Sequence, residues 1–128
     1  MTTARNTVLI VDDSTTVRKY HRVLAEQAGW YVIEAENGME ALEKALNTKV
    51  DLALVDVNMP VMDGFTFLRE MRSVDGLGNT PAVMISTEAQ LIDREKAFSA
   101  GANHYLIKPA KPVEFNHILS VLEVGGEQ

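Results

Sequence analysis

The chain has 128 residues, 46% of them hydrophobic and 23% charged, with a formal net charge of −6 and no cysteine. That length suits one domain with a real core, and the composition excludes a disordered chain and a membrane protein. The acidic balance argues against nucleic acid or anionic lipid as a partner, and the lack of cysteine removes disulfides, thiolate nucleophiles and Cys-based metal sites. No signal-peptide pattern opens the chain and no run approaches the length of a membrane span, so a cytoplasmic protein is expected.

β-like and α-like segments alternate without a break in composition. Thr7–Val11 is a continuous apolar run, as in a strand buried on both faces. Ser14–Gln27 reads as a helix with Val17, Leu24 and Ala28 toward one side, stopped by Gly29. Tyr31–Ala35 makes a second strand. Asn37-Gly-Met-Glu40 has capping-box spacing for a helix to about Asn47, with Leu42, Ala45 and Leu46 inward.

Leu52–Asp56 is the third strand. Asp63 is placed to cap a helix carrying Phe65, Leu68 and Met71. Ala82–Ser86 is the fourth strand, and Thr87-x-x-Gln90 offers a capping box for a helix to about Ala100. Gly101 stops that helix, and His104–Lys108 is the fifth strand. Pro112 opens the last helix, where Phe115, Ile118, Leu119 and Leu122 keep the i, i+3, i+4, i+7 pattern. Five β-α units of this size predict an α/β fold: a doubly wound, five-stranded parallel sheet with helices on both faces. One domain is expected over 1–128, with its core at about 7–124 and a frayed end at Gly125–Gln128.

The chemistry gathers where the apolar runs stop. Asp12-Asp13, Asp56, Ser86 and Lys108 each close one of them. In neighbouring parallel strands these residues line the carboxyl edge of the sheet, where open α/β folds place their ligands. A single Asp after a strand is commonly a helix cap; two, with a third ending the next-but-one strand, are not explained that way. Two carboxylates about 5 Å apart repel by ~3 kcal/mol at an effective dielectric near 20. A cation or lysine must compensate them, and an oxygen-only set suits Mg²⁺ with a phosphate alongside. Asp56 beside such an ion can attack phosphorus and carry an acyl phosphate, while Lys108 contacts the phosphate as a point charge. Ser86 is free to hydrogen-bond a phosphoryl oxygen if Thr87 caps the helix. His21, His104 and His117 sit on different elements without metal-ligand spacing, and Trp30 reads as packing.

The segments Asp12-Asp13, Asp56-Val-Asn-Met-Pro-Val-Met-Asp63-Gly64, Ser86-Thr-Glu88-Ala89 and Gly101-Ala-Asn-His-Tyr105-Leu-Ile-Lys108-Pro109 resemble the receiver domain of two-component response regulators, of the chemotaxis type. The motifs match in order and spacing over nearly the whole chain. The resemblance implies the flavodoxin-like strand order 2-1-3-4-5 and Asp56 as phosphoacceptor. It implies Mg²⁺ held by Asp13, Asp56 and the backbone carbonyl of Asn58, with Asp12 acting through water. Lys108 and Ser86 would hold the phosphoryl group, Ser86 and Tyr105 would form the switch, and Asn58 and Glu88 would tune dephosphorylation. The Lys108–Pro109 peptide is expected cis. Ala110 stands where a bulky aromatic is common, so a flatter surface is expected there.

The function implied is a single-domain response regulator, a signalling switch rather than an enzyme. Its phosphate would come from a sensor histidine kinase or a phosphotransfer protein. Its output would be a protein target on the Ala89–Leu122 face, with Lys96, Tyr105 and Lys111 as contacts, and a monomer is expected. A phosphorelay shuttle and a small Asp-nucleophile phosphatase are the alternatives, the second lacking any insertion to enclose a substrate. A flavin module is disfavoured because Asp12-Asp13 would repel its phosphate.

Overall fold

The computed structural model describes residues 6–88 and 90–122. The expectations for the first five residues, for Ala89 and for 123–128 lie outside them. Strands β1 (Thr7–Val11), β2 (Tyr31–Ala35), β3 (Leu52–Asp56), β4 (Ala82–Ser86) and β5 (His104–Ile107) form one parallel sheet in the order β2-β1-β3-β4-β5. Helices α1 (Thr15–Gln27), α2 (Gly38–Asn47), α3 (Gly64–Arg72), α4 (Leu91–Ala100) and α5 (Pro112–Leu122) make the crossovers.

Side chains alternate between the faces of a strand, and the sheet therefore builds two cores. Leu9, Val11, Ala53, Val55, Met84 and Tyr105 face α2, α3 and α4. Val8, Ile10, Leu52, Leu54, Val83, Ile85 and Leu106 face the other way, onto Leu24 and Ala25 of α1 and Phe115, Ile118 and Leu119 of α5. Trp30 is buried in this second core, as packing.

Helix faces depart from the expected ones where the sheet decides burial. On α1 the buried residues are Arg18, His21, Leu24 and Ala25, whereas Val17 is only half-buried. On α2 they are Gly38, Ala41 and Ala45, and Leu46 is exposed. On α3, Phe67 is fully buried beside Leu68 and Met71, while Phe65 lies at the margin. Asn37 caps α2 through Glu40 N–H at 2.9 Å, but the Glu40 carboxylate reaches Glu36 N–H rather than closing the box on Asn37. The fourth helix corrects the sequence reading: it starts at Leu91, and Asp93 accepts from Gln90 N–H at 3.2 Å. Thr87 is therefore not its cap. Gly101, at φ +115°, ends it in the left-handed conformation that favours glycine.

Candidate functional site

The strand register builds the site. Val11 stands opposite Val55, so the next residue, Asp12, comes level with Asp56 at the end of β3. These are the two central strands flanking the point where the chain reverses its winding direction, the crevice in which such sheets bind ligands. Asp12 and Asp56 are buried, at 2% and 3% exposure, and Asp13 stands exposed at the rim. Carboxylate oxygens of all three lie within 4.8 Å of one another.

Lys108 follows β5 and reaches back across the edge. Its Nζ lies 2.9 Å from Asp12 Oδ2 and 3.1 Å from Asp56 Oδ1. Its N–H donates to the Ser86 carbonyl at 2.9 Å, which fixes the lysine to the end of β4. Burial, and after it the neighbouring Asp12, push the Asp56 carboxyl up to about 6, with Lys108 opposing them. Burial disfavours the ammonium of Lys108, but close ionic contact with Asp12 and Asp56 outweighs it and raises its pKa. The pocket thus carries more negative charge than one lysine compensates.

Ser86 is buried, and its Oγ accepts from Glu88 N–H at 3.1 Å. That contact ties the hydroxyl to its own loop and leaves its proton free to donate. The Tyr105 hydroxyl donates to the Glu88 carbonyl at 2.6 Å, and the Arg94 guanidinium lies 5.2 Å from the ring centroid. The ring is already packed inward, at 5% exposure, so it offers little surface to a partner in this conformation. Asn58 and Glu88, just beyond Asp56 and Ser86 in the chain, are both exposed, and Lys96 and Lys111 are exposed on the expected output face. The Lys108–Pro109 peptide is cis.

The donor set fits a hard divalent cation. Among the described residues, Asp12 Oδ2 is buried without a properly directed hydrogen bond and meets Lys108 Nζ in an ionic contact. Asp12 Oδ1, in contrast, is used by Ser14 N–H at 2.9 Å. A buried oxygen with no directed donor, beside two more carboxylates, is what an oxygen-preferring ion with its waters satisfies. Magnesium fits this cluster.

A family model described as the response regulator receiver domain matches residues 8–120. The chain belongs to that family. Among relatives of this receiver domain, chemotaxis protein CheY1 of Helicobacter pylori (strain 26695) is 35% identical over 90% of this chain and 94% of its own. Protein PilG of Pseudomonas aeruginosa is 33% identical over 80% of this chain and 76% of its own. The chain spans only 43% of the transcriptional regulatory protein ResD of Bacillus subtilis, to which it is 36% identical, and 14% of a Myxococcus xanthus gliding motility regulatory protein. In structure it resembles Vibrio cholerae chemotaxis protein CheY4, with TM-score 0.87, 35% identity, and coverage of 93% of this chain and 99% of that one. The receiver domain of sensor histidine kinase PA1611 from Pseudomonas aeruginosa, which has a magnesium ion coordinated in its active-site cleft, gives TM-score 0.86 at 29% identity, covering 93% and 98%.

The inward placement of Arg18 and His21 in this receiver domain was not read from the sequence. Arg18 donates to the Asp12 carbonyl at 2.6 Å and to Glu34 Oε1 at 2.8 Å, holding the β1–α1 turn against β2. His21 accepts from Ala110 N–H at 3.2 Å. Their signal was present: positions 18, 21, 25 and 28 follow one helical stripe, but polar residues on it were not read as inward. Ala110 is fully buried, and both its backbone groups are bonded to side chains of α1.

Proposed function

We propose that residues 1–128 form one receiver unit, with its core at about 7–124, in which Asp56 accepts a phosphoryl group and thereby switches binding of a protein partner. The family acts as a signalling switch rather than as a conventional enzyme. The observation that carries the reading is a nearly inaccessible carboxylate, Asp56, on the carboxyl edge of the sheet, with one oxygen 3.1 Å from Lys108 and two further carboxylates beside it.

The donor is a histidine kinase or a phosphotransfer protein. An Asp56 oxygen forms the new P–O bond as the P–N bond of phosphohistidine breaks, and the imidazole departs with that electron pair and takes a proton. Magnesium, when bound by Asp13, Asp56 and the Asn58 carbonyl, with Asp12 through water, supplies positive charge against the phosphoryl oxygens. Lys108 leaves its paired carboxylates for the phosphoryl group, where its charge is worth more. Ser86 donates its hydroxyl proton to a phosphoryl oxygen, pulling on the loop whose Glu88 carbonyl holds Tyr105. The output is thus a population shift on the face of α4, β5 and α5, favoured by a few kcal/mol of differential interaction. Asn58 and Glu88 at the mouth set how readily water reaches the acyl phosphate.

Incubation with Mg²⁺ and acetyl phosphate tests the reading by intact mass. One phosphoryl group should be added and lost within seconds to a few minutes once donor is removed, and Asp56→Asn should not be labelled. Equally fast labelling of that variant would move the acceptor elsewhere, and a phosphoform stable for hours would refute the assignment of Asn58 and Glu88.

A further inference from the structure

The segment after Lys108 is held from outside its own strand. β5 ends at Ile107, and Pro109 has no N–H, so Ala110 carries the first backbone donor beyond the lysine. Both backbone groups of Ala110 are taken by adjacent side chains of α1. Its N–H donates to His21 Nε2 at 3.2 Å, and its carbonyl accepts from the Tyr20 hydroxyl at 2.9 Å. Ala110 and His21 are both buried, at 0% and 1% exposure, so water does not compete for the first of these bonds.

The imidazole is itself fixed in place. It meets the Tyr20 ring edge-on at 5.2 Å and the Phe115 ring of α5 at 6.0 Å, and it bonds the Val17 backbone. An Nε2 that accepts from an amide must be unprotonated, so the clamp uses the neutral ring. Asp12, Lys108 and Tyr20 are the ionisable groups around it, and burial outweighs Asp12 in keeping the ring neutral down to about pH 4. On the other side of Lys108, its own N–H is bonded to Ser86 on β4. The lysine therefore hangs between two anchors, one on the sheet and one on α1.

We propose that Tyr20 and His21 form a backbone clamp on Ala110, and that His21 is a positioning residue aiming the Lys108 ammonium at Asp56. This rests on Asp56 being the phosphoacceptor. Its consequence is that α1, on one face of the sheet, is coupled to the phosphoryl pocket without contributing a side chain to it. A misplaced ammonium lowers the rate of phosphoryl acceptance, whereas Mg²⁺ affinity, set by the carboxylates, stays the same.

Labelling rates with acetyl phosphate test this in wild type, His21→Leu, His21→Gln and Tyr20→Phe, each with Mg²⁺ affinity measured alongside. Leucine fills the space without an acceptor, and glutamine restores an acceptor near the Nε2 position. We expect His21→Leu to slow labelling on the order of tenfold, Tyr20→Phe to slow it less, and His21→Gln to recover most of the loss. In metal-free protein the Lys108 side-chain ammonium resonance should move in His21→Leu and stay near its native position in His21→Gln. Added to Lys108→Ala, His21→Leu should produce no further slowing. Tyr20→Phe, which deletes one hydroxyl from a partly exposed ring, keeps the test open if His21→Leu does not fold. Native rates in both His21→Leu and Tyr20→Phe, or an undiminished His21→Leu effect on the Lys108→Ala background, would overturn the clamp. Absence of labelling in wild type would overturn the acceptor reading itself.

Discussion

At the residue scale, the informative side chains are polar groups held where water does not reach. His21 is neutral in the fold because burial pushes its imidazole down to about 4 from 6.5. Between these values the unfolded chain binds a proton that the folded chain refuses, so the histidine's contribution to stability falls as pH drops from 6.5 toward 4. Asp56 acts in the opposite sense over nearly the same window, since its carboxyl is pushed up to about 6 and the fold holds its proton more tightly. Total stability therefore hides both effects, and a difference exposes one. Urea unfolding of wild type and His21→Gln should show wild type gaining about 3 kcal/mol relative to the variant between pH 4 and 6.5. A difference that does not change with pH would mean that His21 is charged in the fold.

Glycines and caps carry the argument at the element scale. Gly64 opens α3 directly against the end of β3. Its N–H donates to the Val57 carbonyl at 2.9 Å, and a Cβ there would collide with the Asp56 carbonyl and come within 2.6 Å of Met84 Cε. Backbone cannot yield as a flexible side-chain tip does. Gly64→Ala should cost about 2 kcal/mol or more in urea unfolding, an overpacking penalty, and should slow labelling of Asp56 by shifting its carbonyl. Asp63 completes the junction by accepting from Thr66 N–H at 2.8 Å. One dipeptide thus both starts a helix and presses it onto Asp56, the proposed acceptor.

On the scale of the whole molecule, charge imbalance in the crevice opposes folding and invites a cation. Magnesium bound only by the folded carboxylates stabilises the fold by about 2.7 kcal/mol at roughly a hundredfold excess over its Kd. For a domain of this size that raises Tm on the order of 10 °C. Asp13→Ala should abolish most of the rise, because Asp13 is the carboxylate open to solvent at the rim. A calorimetric scan with and without Mg²⁺ checks it, and an undiminished rise in that variant would remove Asp13 from the ligand set.

The element order, the parallel sheet and the clustering of Asp12, Asp13, Asp56 and Lys108 were legible in the sequence. Each is a local property: apolar runs of strand length end at charged or hydroxyl residues, and alternation with helices puts those ends on one edge. Tertiary structure alone decided what lies behind the pocket. Leu46 is exposed and Ala41 buried because α2 turns the stripe Gly38, Ala41 and Ala45 toward the core. Arg18 and His21 are each buried against a backbone partner, Arg18 on the Asp12 carbonyl of the preceding turn and His21 on the Ala110 N–H of a distant one. The fourth helix starts at Leu91 and not after Thr87, a boundary set by Asp93 closing on Gln90 N–H. Periodicity reports which side chains prefer to leave water; it does not report which polar ones find a partner when they do, and that depends on residues up to 89 positions away.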